Sequence, residues 1–331
     1  MKFTPKYVPI LKWKQGEQTA LRELSTEISN SIIPLIEITP DFNIERLEKS
    51  FNYWSNKYYY FDILPEFYES NPEIYLRILE QLNPDYVIPV LNHTNAFNLI
   101  NYATELSNNG IALRINTDTI STLNIDLFNI TQVINANNID LILDFKYIGN
   151  TSFDSLYSNF LNFMSLIPNI NEFRNIILSA SSFPETLAGI DRDTINLIDM
   201  FEWQFYMEYI SSYAYENKIN IIYSDYCICN PINIEFEPYM KPSFNIRYTS
   251  AGQFLILKGN LIKSGGLSAE NISRLCNTLV SSDYFADEHY SWGDNYIYTH
   301  RINNQPRYGN LTTWRSICTN HHITHIVNSL A

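Results

Sequence analysis

The chain repeats one phrase: a short apolar run that ends in a polar residue, followed by a stretch with apolar residues at helical spacing. Tyr7-Val8-Pro9-Ile10-Leu11-Lys12 leads into Gly16-Glu17 and an amphipathic stretch through Leu21, Leu24 and Ile28, which predicts strand, turn and helix. The strand phrase returns at Ile32–Glu37, Tyr58–Asp62, Tyr86–Asn92, Ile111–Arg114, Leu141–Asp144, Ile176–Ser179 and Ile221–Asp225. Between these runs the pattern predicts helices near 44–55, 72–82, 95–108, 123–137, 152–167 and 195–217. Lys12, Glu37, Asp62 and Asn92 follow one another at intervals of 25, 25 and 30 residues, the length of a βα unit. Eight such units predict an α/β fold of TIM-barrel type over residues 1–230. Pro9, Pro34 and Pro89 stand against central strands, since proline lacks the ladder donor, but each falls early in its run. An open doubly wound sheet ranks second, because no Gly-x-Gly-x-x-Gly turn follows the first strand.

After residue 230 the rhythm changes. Pro231, Pro238 and Pro242 predict a linker or covering loop, and Ile246–Tyr248 with Phe254–Leu257 a strand pair. A helix near 268–281, an aromatic loop at Trp292-Gly293-Asp294 and a helix from Thr312 to Leu330 complete the reading, with a turn at Gly265-Gly266. Residues 231–331 are therefore expected to be an α+β extension that packs on the barrel mouth.

In a barrel, a polar residue at the C-terminal end of a strand points into the mouth, where active sites of this fold are built. That rule selects Glu37, Asp62, Asp144 and Asp225 as candidate acids, bases or ligands of a divalent cation. Lys12 and Arg114 are candidates for holding an anionic small molecule, phosphorylated or nucleotide-like, and Lys12 and Lys14 also precede a helix N-terminus. The competing reading is a structural network of ion pairs. In the extension, Arg247, Trp292, Asp294, Trp314, Arg315 and His322 are candidate ligand contacts, although tail aromatics more often belong to a core. His321 and His325 have the helical spacing of a metal pair, but no Glu or Cys completes a zinc signature. Cys227 and Cys229 are one residue too close for Cys-x-x-Cys, and Ser179, Ser181 and Ser182 lack a nucleophile elbow.

Composition narrows the classes. The 331 residues are 45% hydrophobic, enough for a folded core. A net charge of −13 without a basic stripe disfavours nucleic acid. No run reaches the roughly 20 apolar residues of a membrane span, and the N-terminus lacks a signal-peptide pattern, so a cytoplasmic protein with four reduced cysteines is expected.

Tyr7–Lys12 with Gly16-Glu17 and Ala20-Leu21, then Ile33–Glu37, resembles the Beta protein family of phages and bacterial mobile elements. Arg247-Tyr248-Thr249, Ser291-Trp292-Gly293-Asp294, Trp314-Arg315 and Asn320–Ile323 resemble that family's later motifs. The resemblance implies an antitoxin-like role in anti-phage defence, as with the satellite-phage protein that suppresses the Gop killer protein encoded beside it. The implied partner is a toxin or killer protein encoded nearby, and the family offers no catalytic residue to carry over.

Overall fold

The computed structural model describes residues 4–232, 242–262 and 267–330; Pro238 and the Gly265-Gly266 turn lie outside the described residues. Its strands are β1 (Tyr7–Lys12), β2 (Leu35–Ile38), β3 (Tyr59–Ile63), β4 (Val87–Leu91), β5 (Ile111–Asn116), β6 (Ile139–Tyr147), β7 (Asn175–Ser181), β8 (Asn196–Asp199), β9 (Ile221–Asp225), β10 (Ser243–Ser250) and β11 (Gln253–Leu261). Two compact units emerge, and they exchange segments along the chain. The first comprises residues 1–13, 31–181 and 202–226, and the second residues 14–30, 182–201 and 227–331.

The first unit is a closed barrel of eight parallel strands, β1 to β7 in order and then β9, which returns to pair with β1 at Tyr7↔Tyr223. This is the TIM-type architecture that the repeated phrase predicts. Alternation along each strand sends one set of side chains inward. Val8, Ile10, Leu35, Tyr60, Ile88, Val90, Ala112, Ile142, Ile177 and Ile222 fill the lumen as one apolar cluster. The flanking helices follow the expected spans. In Phe153–Leu166, Ser152 caps the N-terminus by accepting from the Ser155 amide, and Leu156, Phe160, Phe163 and Met164 form the buried stripe. Pro9 and Pro89 do lie inside β1 and β4, whereas Pro34 stands just ahead of β2.

The second unit contains a three-stranded antiparallel sheet in the order β10-β11-β8. The expected strand pair is present, joined by Ala251 and Gly252, both at positive φ (50° and 74°), the backbone that a two-residue hairpin requires. Two expectations are corrected here. Residues 196–199 were expected to begin a helix; they form β8, which pairs with β11 from Gln253↔Asp199 to Ile256↔Asn196. Trp292-Gly293-Asp294 is no loop but the first turn of a helix, Trp292–His300, whose N-cap Ser291 accepts from the Asp294 amide. The helix Leu311–Ser329 starts in a capping box formed by Asn310 and Thr313. It packs against the helix Gln15–Arg22, where the Asn320 amide donates to the Ala20 carbonyl at 3.0 Å.

Among the described residues no helix is long and apolar enough to cross a membrane.

Candidate functional site

The two ends of the barrel carry different polar chemistry. At the N-terminal end of β6, Asp140 is fully bonded: Arg174 Nε and the Asn175 amide reach Oδ1 at 2.8 Å, and Tyr60 Oη and Arg174 NH2 reach Oδ2 at 2.8 and 2.6 Å. One carboxylate faces one guanidinium, the balance expected of a structural pair.

The C-terminal end is unbalanced. Glu37, Asp62, Arg114 and Asp144 each lie two residues beyond an inward-facing core residue, so alternation points all four into the lumen. Register places Glu37 beside Asp62, and Lys12 beside Glu37. Arg114 sits at the centre: NH1 donates to Glu37 Oε1 at 2.7 Å and to Asp62 Oδ2 at 2.6 Å, while Nε and NH2 both reach Asp144 Oδ2, at 3.0 and 2.8 Å. NH2 also meets the Tyr226 hydroxyl at 2.6 Å, and that hydroxyl donates to Asp144 Oδ2 at 2.7 Å.

Two features set this ring apart from a closed network. Glu37 is buried, yet its Oε2 has no hydrogen-bond partner among the described residues, and neither does Ser179 Oγ, which faces the same lumen beside Asp144. Asp62 is pushed up to about 6: burial raises it, Arg114 pulls it back, and Glu37 raises it again. The fold thus holds Asp62 where ionisation is costly and leaves its neighbour with an oxygen to spare. The three carboxylates do not gather ligand atoms within 4.8 Å of one another, so they do not form a ready divalent-cation cage.

Asp225 is not brought into this ring. Ile222 and Tyr226 face inward, so Asp225 faces the other way, and the Tyr7 and Tyr223 hydroxyls donate to its carboxylate. The inward position belongs to Tyr226, one residue past the end of β9, which the strand-end rule misses. Arg114, expected to hold an anion, already has all three nitrogens engaged within the ring.

The remaining candidates lie in the second unit. Asp294 is fully buried and accepts from the Tyr248 hydroxyl at 2.7 Å and from Ser291, and it pairs with His321 Nδ1 at 2.8 Å. His321 Nε2 meets the Thr249 carbonyl at 2.8 Å, so both ring nitrogens face acceptors and none is left for a metal. His322 Nδ1 meets Thr249 Oγ1 at 2.7 Å, and Trp314 is a core residue whose Nε1 donates to the Tyr308 carbonyl. Trp292, half-buried, lies against Tyr296 with the ring planes tilted and the centroids 6.2 Å apart. Arg247 and Arg315 both donate to the Ile228 carbonyl, at 2.8 and 3.4 Å. All four cysteines are free thiols.

A family model described as Beta protein matches residues 7–328. The chain belongs to the Beta protein family. A comparison with curated proteins found no match. The family match spans both units of this Beta-family chain, so the barrel ring and the Asp294–His321 cluster both fall within it.

His325, a turn beyond His321, supplies a pH-dependent element. Burial and the neighbouring His321 and His322 lower its pKa to about 3, against an unfolded value of about 6.5. A depressed folded value gives stability that is present above pH 6.5 and lost as pH falls toward 3, because only the unfolded state takes the proton. Melting temperature should therefore fall through this window, and His325→Gln should flatten the fall. An unchanged profile in the variant would assign the acid sensitivity elsewhere.

Proposed function

We propose that this Beta-family chain is an antitoxin-like suppressor of a killer protein encoded near it, acting by binding. Family membership supports the reading, and so does the state of the barrel-end ring. Arg114, the cation that a barrel enzyme would aim at substrate, is held on every nitrogen by the protein's own groups. The net charge of −13 suits a basic partner, with electrostatic attraction setting encounter rate and choice. Co-expression with the adjacent killer gene tests this: growth is expected in the presence of the chain, and continued killing would sink the proposal.

A second reading makes the barrel end a sensor or catalytic site for a small molecule bearing hydrogen-bond donors. Glu37 Oε2 and Asp62 favour it, since a donor seated there would satisfy the first and stabilise the ionised form of the second. Asp62→Asn separates the two. A raised folded pKa gives stability that is present below about pH 4 and lost as pH rises through 6, so the amide should stabilise the barrel above pH 6, by about 1–3 kcal/mol. A variant that is more stable but no longer suppresses killing would tie suppression to ring chemistry. A variant that suppresses fully would remove the second reading and leave the first standing.

A further inference from the structure

In the second unit two arginines from distant parts of the chain are brought to one acceptor. Arg247, on β10, donates through NH1 to the Ile228 carbonyl at 2.8 Å, and Arg315, on the helix Leu311–Ser329, donates through NH1 to the same oxygen at 3.4 Å. Arg247 Nε is spent on Asn245 Oδ1 at 3.0 Å, and its guanidinium lies over the Phe183 ring at 4.8 Å. Arg315 NH1 also reaches Cys229 Sγ at 2.8 Å. That leaves NH2 of Arg247, and both Nε and NH2 of Arg315, with no acceptor among the described residues, on side chains that are half-buried and still reach solvent.

The charges around this pair do not balance. Among the described residues, Glu17, buried on the first turn of the helix Gln15–Arg22, is the carboxylate whose charge acts on both arginines; the thiols of Cys229 and Cys318 act on both as well, and that of Cys227 on Arg315. Among the described residues, two guanidiniums against one carboxylate leave a surplus positive charge in a partly desolvated place. Burial, with Arg315 adding to it, lowers Arg247 to about 9, so the fold holds this arginine at a cost. The backbone here is constrained too. Cys227, just before the shared carbonyl, sits at φ 53°, a conformation unfavourable for a side chain with a Cβ. Gly16 abuts the stem of Arg315, where an added Cβ would fall 2.9 Å from Cγ.

We infer that Arg247 and Arg315 form a receptor for a phosphate group. The chemistry follows from the open donors. Two forks present at least three unused nitrogens, which suits an anion with three or four oxygens around one centre better than a two-oxygen carboxylate. A bound phosphate dianion would also reverse the surplus charge and satisfy both exposed edges. The site uses neither the barrel ring nor a killer protein, so it stands apart from the suppressor reading.

The test is thermal unfolding of the full chain titrated with inorganic phosphate and with a phosphate monoester, at ionic strength held constant with chloride, and acetate as the carboxylate control. Phosphate is expected to raise the melting temperature saturably, and acetate to have little effect. A response to the monoester alone would locate the ligand as an organic phosphate, whereas equal responses would leave the free ion sufficient; either supports the receptor. Arg247→Met should weaken the response on the order of tenfold to a hundredfold while leaving the unliganded melting temperature equal or higher, since a like-charge contact is removed. Gly16→Ala keeps both arginines but displaces the Arg315 stem, and it should weaken the response as well. Phosphate stabilisation no larger than that of chloride, or an undiminished response in folded Arg247→Met, would overturn the inference.

Discussion

Replacing Arg114 with methionine is expected to lower the unfolding free energy of the barrel by about 3–5 kcal/mol, the usual result of removing one partner from a buried charge network. Glu37, Asp62 and Asp144 are only 2%, 3% and 1% exposed, so the variant leaves three buried carboxylates without the guanidinium that bridges them. The native arginine is held charged. Burial alone would depress it, but Tyr226, Asp144, Glu37 and Asp62 together keep it well above its ordinary value. Arg114→Lys should rescue little. The guanidinium reaches Asp144 through two nitrogens while its third spans Glu37 and Asp62, and an ammonium cannot cover both directions. The deficit should shrink on acidification, because protonated carboxyls no longer need the cation. Urea unfolding at pH 5 and pH 8 measures both effects, and a loss under about 1 kcal/mol with no pH dependence would contradict the network as described.

Asp294→Ala should produce a loss of similar size, about 3–5 kcal/mol, in the second unit. Its carboxylate and the His321 ring are both 0% exposed, and the Tyr248 hydroxyl and Ser291 depend on the same two oxygens. Alanine would leave a buried imidazole and a buried phenol without their acceptor. Burial pushes the Asp294 carboxyl up, but His321 and the donors outweigh it and hold the group below its usual range. The sign follows: this stability is present above about pH 4, the unfolded value, and is lost as pH falls through the lower folded one. The wild type should therefore show an acid-side loss below pH 4 that the variant lacks. Fluorescence of Trp314, buried in the same unit, reports the transition. Equal stability of the two chains at pH 7 would dismiss the pair as a determinant of the unit.

Much of the barrel was legible because each strand states its own face. An apolar run ending at Glu37, Asp62, Arg114 or Asp144 carries the alternation with it, and closure into a ring follows from the number of units. Asp225 shows the limit of that rule. Reading the last polar residue of a run as inward ignores parity: counting by twos from Ile222 passes over Asp225, giving Ser224 and then Tyr226. The short strand Asn196–Asp199 was hidden for a different reason: its residues alternate half-buried and exposed, and only pairing with β11 makes it a strand. The tail's motif residues were found, but their partners were not, since Asp294, His321 and Tyr248 meet only through tertiary packing.

The interleaving of the two units has a consequence for synthesis. The helix Gln15–Arg22 leaves the ribosome within the first few dozen residues, yet the surface it packs against, Leu311–Ser329, is made some three hundred residues later. The barrel can close once β9 has emerged and pairs with β1, while an early helix waits, its apolar face uncovered, for a late one. A ribosome that stops short of Leu311 would thus release a chain with a finished barrel and an orphaned N-terminal helix, a form for proteases and chaperones to clear.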